Sequence, residues 1–144
     1  MVSHSADGWP YLLVPLLLML TLPSLAWPVL VALVTGFAIE RLSYYVLKNS
    51  FKRRRPPKSI PGFQSVITAS DEFSFPSGHT SGAFLMATVL VLLLPMGIAA
   101  YLYGWASLVA LSRVVLGVHF PLDTVAGAML GSGIGWWAVQ LVTV

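Results

Sequence analysis

Long apolar runs, punctuated by proline and glycine and almost free of charge, decide what this chain can become. Residues Tyr11 to Trp27, Pro28 to about Leu47, Pro76 to Leu94, Gly97 to Gly117 and Pro121 to Val144 form five such runs. Roughly 20 helical residues at ~1.5 Å each cross a hydrocarbon core of ~30 Å. Hydrophobic residues fill 57% of the 144 positions and charged ones 9%, where a soluble domain has about 45–50% and 25%. The expectation is an all-α integral membrane bundle of about five transmembrane helices, forming one membrane-embedded domain over residues 1–144. The first run carries Pro15 and Pro23 but no basic residue precedes Arg41, so it reads as a short kinked span and not as a signal peptide.

The charges that remain are unevenly placed. Lys48, Lys52, Arg53, Arg54, Arg55 and Lys58 fall within one short loop, which suits a membrane-surface anchor or a phosphorylated ligand. One basic loop among spans offers no groove-sized surface, which excludes nucleic acid as a partner. Cysteine is absent, so disulfides and thiolate metal sites are excluded as well. Glu40 and Arg41 lie inside the second span; adjacent helix residues do not face each other, so each calls for a structural partner elsewhere. Residues 1–9 read as a polar tail, with His4 outside any chemistry.

Prolines 56, 57 and 61 stop the second helix and keep the loop from Lys48 to Phe75 extended. Pro95-Met96-Gly97 reads as a tight turn, Gly117 to Phe120 as a short connection, and Pro121 as the first residue of the last helix. Five spans then place the N-terminus, the basic loop, Pro76-Ser77-Gly78-His79 and His119 on one face. In the last span Gly127, Gly131 and Gly135 recur every four residues, favouring close helix contact within the chain, with a dimer face as the functional alternative.

On the polar face the residue types suggest phosphate chemistry. Ser77, Gly78 and His79 stand at the mouth of a helix, where unpaired N–H groups and the helix dipole attract an anion. Ser77 suits an N-cap or a hydroxyl donor to a phosphoryl oxygen, and His79 a general acid. His119 and Asp123 are four apart, so the carboxylate can take the Nδ1 proton and leave Nε2 nucleophilic. Lys48, Arg55 and Arg113 add positive charge for a transferring phosphoryl group. Singly, each residue has an ordinary explanation as a solvated histidine, a lipid anchor or a topology signal. The residues alone leave open which histidine attacks.

Together they spell three motifs: K-x6-R-P from Lys48 to Arg55-Pro56, P-S-G-H from Pro76 to His79, and S-R-x5-H-x3-D from Ser112-Arg113 through His119 to Asp123. In this the chain resembles the type 2 phosphatidic acid phosphatase superfamily, with its haloperoxidase-like core, over about residues 40–135. The resemblance implies a phosphatase that needs no metal or other cofactor. It assigns His119 as nucleophile, Asp123 as its support and His79 as the acid that protonates the leaving group. Lys48, Arg55, Ser77, the Gly78 N–H and Arg113 would bind phosphate, and a phosphohistidine would be the intermediate. The implied substrate is a lipid phosphate met in the bilayer, such as phosphatidic acid, phosphatidylglycerol phosphate or undecaprenyl pyrophosphate. A non-enzymatic protein that binds anionic lipid headgroups is the rival, although it would need the cations and not an activated imidazole.

The pattern departs from the family in one respect. Members commonly have six spans with both termini opposite the site, whereas this chain shows five, which moves its N-terminus to the catalytic face. Bacterial relatives place the site outside the cytoplasmic membrane, while the positive-inside rule would draw the basic loop inward. The outward orientation is the expectation, because those cations have a ligand to bind.

Overall fold

Proline sets the first two helix boundaries. The computed structural model describes residues 2–69, 71–94 and 97–143. After a 3₁₀ turn at Val2–Ala6, α1 runs Trp9–Thr21 and α2 runs Pro23–Phe51. Pro10 and Pro23 occupy first turns, where a missing N–H costs no intrahelical bond. The break therefore falls at Leu22 and not at the predicted Trp27–Pro28 junction, and Pro28 lies inside α2. Carried on to Phe51, α2 holds Lys48 in its last turn, buried, where a loop position was expected.

A four-residue helix, α3 (Pro56–Ser59), interrupts the basic loop. An isolated antiparallel bridge between Arg54 and Phe73 ties the loop's two limbs together. Then follow α4 (Gly78–Leu93), α5 (Ala99–Val115) and α6 (Pro121–Thr143). Pro121 opens α6 as predicted, but Pro76 and Ser77 precede α4, with Ser77 in extended backbone at the N-cap position. Of the expected turn at Pro95-Met96-Gly97, Pro95 and Met96 lie outside the described residues, as does Val144.

Among the described residues, α2 and α6 are long and apolar enough to cross a membrane by themselves; α1, α4 and α5 are apolar and shorter. The outer surface is far more apolar than a soluble protein's, and several polar side chains are withdrawn from it. Leu12, Leu20, Tyr101 and Met129 are 79, 78, 80 and 72% exposed, while Glu40, Ser77, Thr80, Ser81 and Asp123 are fully buried. An apolar exterior, with charged and hydroxyl side chains withdrawn into the bundle beside its apolar core, is what lipid solvation selects, and the protein is an integral membrane protein.

Helix α4 is the hub, packed against α2, α5 and most extensively α6. Leu85, Met86, Val89 and Leu90 of α4 interlock with Val29, Ala32 and Leu33 of α2 and Val139 of α6. The glycine stripe of α6 faces α4 at main-chain contact. A Cβ on Gly127 would lie 2.6 Å from the Ser77 carbonyl oxygen, and one on Gly131 2.0 Å from that of Ser81. Glu40 finds a partner on α4, accepting from Ser81 Oγ. Contrary to expectation it is also bonded by its neighbour: the long Arg41 side chain folds back to place Nε 2.5 Å from Oε2 and Nη2 2.9 Å from Oε1.

Candidate active site

The polar ends of α2, α4, α5 and α6 meet beneath the basic loop around a cavity of about 470 Å³. Arg55, Gly78, His79, Arg113 and His119 line it; Lys48, Ser77 and Asp123 stand behind this wall. Two backbone devices hold the motifs in place. Helix α5 ends in a Schellman motif, with Gly117 N–H bonded to Val114 O at 2.9 Å and Val118 N–H to Arg113 O at 3.3 Å. Gly117 takes a φ of 75°, and a Cβ there would also meet the Phe63 ring at 2.9 Å. The reversal points His119 back beside Arg113. The second device joins P-S-G-H to the last motif, because Ser77 N–H donates to the Asp123 carbonyl at 3.0 Å.

His119 is 3% exposed, with Nε2 3.3 Å from Arg55 Nη1. Burial pushes its pKa down, the Arg55 and Arg113 cations act in the same direction, and Asp123 opposes them. The neutral form of the ring is therefore favoured. The expected hydrogen bond from Nδ1 to Asp123 is not made: Nδ1 stands 3.8 Å from Oδ2 and has no partner. Asp123 is engaged otherwise, accepting from the Phe120 N–H at 2.8 Å and from Arg53 Nη1 at 2.8 Å. At 3.8 Å its charge still favours an imidazolium. Arg53, which also lies over the Phe120 ring, holds the carboxylate from outside.

Ser77 occupies the N-cap position without capping; its Oγ accepts from Thr80 Oγ1 at 3.0 Å. A Cβ at Gly78 would meet the Tyr44 ring at 2.9 Å, so glycine keeps the helix mouth against that ring.

Three residues near the centre were missed by the motif pattern. Asp71 bridges both cations of the first motif, one carboxylate oxygen meeting Arg55 Nη2 and the other Lys48 Nζ and Tyr44 Oη. Burial raises its pKa, but the bonds from Lys48, Tyr44 and Arg55 outweigh this and lower it to about 2. Asp7 is the second: Oδ1 lies 2.9 Å from His79 Nε2 and Oδ2 2.7 Å from His4 Nδ1. Arg53 is the third. The supposed N-terminal tail is ordered against the site, since Arg113 Nη1 donates to Ser3 Oγ at 2.7 Å and Trp105 Nε1 to Ser5 Oγ at 2.8 Å. A signal was available in the scarcity of acid: of five acidic residues, Asp7, Asp71 and Asp123 contact a histidine or cation of the three motifs.

The profile of the PAP2 superfamily matches residues 25–144, a span that includes every motif residue. The chain belongs to the PAP2 superfamily. An undecaprenyl-diphosphatase of Sulfolobus acidocaldarius is 31% identical over 141 residues, covering 98% of this chain and 68% of the relative. Among solved structures, Aquifex aeolicus LpxE superposes with a TM-score of 0.77 at 28% identity, covering 96% of this chain and 81% of that one. The transmembrane PAP2 type phosphatidylglycerolphosphate phosphatase of Bacillus subtilis gives 0.74 at 26% identity, covering 97% and 72%. The all-helical membrane fold expected from the motifs is thus the PAP2 fold.

Proposed function

We propose that this PAP2 protein is a membrane lipid phosphatase that hydrolyses a phosphomonoester or diphosphate of a lipid through a phosphohistidine on His119. The observation that carries the reading is the convergence of His119, His79, Arg55 and Arg113 on one cavity at the polar end of a lipid-facing bundle. His119 Nε2 attacks phosphorus as the P–O bond to the lipid breaks, and His79 gives a proton to the departing oxygen. Arg55, Arg113 and the Gly78 N–H, which line the cavity, hold the phosphoryl oxygens, with Lys48 and the Ser77 hydroxyl completing the phosphate site from behind them, and Asp123 supports the charge that develops on His119. Water then cleaves the P–N bond, its proton passing to His79. The names of the similar proteins support a polyprenyl diphosphate or phosphatidylglycerol phosphate as substrate; phosphatidic acid shares the same headgroup chemistry. The proposed location is the cytoplasmic membrane of a bacterium, with the site facing outward.

The test is phosphate release from these lipid phosphates by purified protein in detergent with EDTA present. Wild-type protein is expected to turn over at least one, and His119→Ala to fall to background. Activity retained in His119→Ala removes His119 as nucleophile; a wild type inert on the whole panel leaves the rival, a headgroup-binding protein.

A further inference from the structure

The segment Val2–Gly8 crosses the site on the side of His79 and brings a carboxylate with it. Ser3 and Ala6 are buried, Arg113 and Trp105 bond Ser3 and Ser5, and Tyr11 Oη donates to the Ala6 carbonyl at 3.3 Å. This anchoring fixes Asp7 with Oδ1 2.9 Å from His79 Nε2. Asp7 and His79 both line the main cavity, and both line an adjoining one of about 290 Å³ that also contains His4 and Arg113. Around the His79 ring the cavities present the cations Arg41 and Arg113, which disfavour a second proton on the imidazole. Among the described residues Asp7 is the carboxylate that bonds this ring.

We propose that Asp7 is a positioning residue for His79: its carboxylate holds Nε2–H and offsets part of the penalty that the cations and burial set on a second proton, so that a proton taken up at Nδ1 can be given to the leaving oxygen. The proposal rests on the phosphatase reading above. In the forward step the His119 Nε2–P bond forms and the P–O bond breaks, its electron pair going to the lipid oxygen. That oxygen takes the Nδ1 proton, leaving a neutral His79 still held at Nε2. In the hydrolytic step Nδ1 recovers a proton from the attacking water. The carboxylate acts through the imidazole and does not touch the substrate.

The test compares leaving groups. An alkoxide from phosphatidic acid or phosphatidylglycerol phosphate departs poorly without a proton, whereas the phenolate of para-nitrophenyl phosphate departs well without one. Asp7→Asn is expected to lower kcat on the lipid monoester about tenfold and on para-nitrophenyl phosphate less than about twofold, a part of the 10²–10⁴-fold that a general acid supplies. Asp7→Glu should restore the lipid activity, and His79→Ala should show the same selectivity more severely. Equal losses on both substrates, or no loss on either, overturn the assignment alone while leaving the phosphatase intact. A wild type that hydrolyses neither lipid monoester overturns the monoesterase reading and this assignment with it.

Discussion

Arg55 joins the two halves of the chemistry, standing 3.3 Å from His119 Nε2 with Nη1 while Nη2 meets Asp71. A cation at that distance keeps a proton off His119, the proposed nucleophile, and would attract the phosphoryl group of the proposed substrate. The lowered pKa of His119 has a direct readout. In histidine-labelled protein titrated by NMR in detergent, with the signal assigned by its loss in His119→Gln, His119 should titrate below the ordinary 6.5. A midpoint at or above 6.5 contradicts the electrostatic picture. Because the motifs have a fixed spacing, His79, His119, Arg55 and Arg113 were legible as a candidate cluster, and the structure gathers them on one cavity. Asp7, Asp71 and Arg53 were not, because each is recruited from distant chain by tertiary contact. Local bonds shape residues 2–8, with their 3₁₀ turn at Val2–Ala6, but the segment's place against the site comes from Trp105, Arg113 and His79.

At the scale of the helices, the contact of α4 with α6 governs the geometry. Gly131→Ala would place its Cβ 2.0 Å from a main-chain oxygen, which no side-chain rotation relieves. It should destabilise the protein by about 1–3 kcal/mol, the usual cost of overpacking, and lower activity by pushing α4 away. Gly133→Ala, an exposed position with nothing within 4 Å, should be neutral or stabilising by up to ~1 kcal/mol. Unfolding in detergent measures both, and equal effects would mean the stripe does not set helix contact. The existence of these helices was legible from apolar runs alone. Their boundaries were less so near Leu22, because Pro23 and Pro28 are both acceptable helix openers by local chemistry and packing chose the first. Lys48 was likewise hidden, since a helix that continues into a basic run leaves no apolar signal of its end.

For the whole molecule, we propose that the five apolar helices α1, α2, α4, α5 and α6 each cross the membrane, which puts residues 1 and 144 on opposite faces. With the site outward, protease added to spheroplasts should remove a tag placed before residue 1 and spare a tag after Val144. Cleavage of the C-terminal tag on intact spheroplasts would reverse the proposed orientation.

The bond from Ser77 N–H to the Asp123 carbonyl has a bearing on how such a protein can change. The two halves of the proposed reaction centre are pinned to each other by main-chain atoms and by glycines that admit no side chain, so this contact between them does not rest on side-chain identity. The lipid-facing flanks of α1, α2 and α6, which we propose meet the acyl or prenyl chain, lie outside that constraint. A recombinant that exchanges those surfaces with a relative's should acquire its taste for tails while keeping the phosphate chemistry in register.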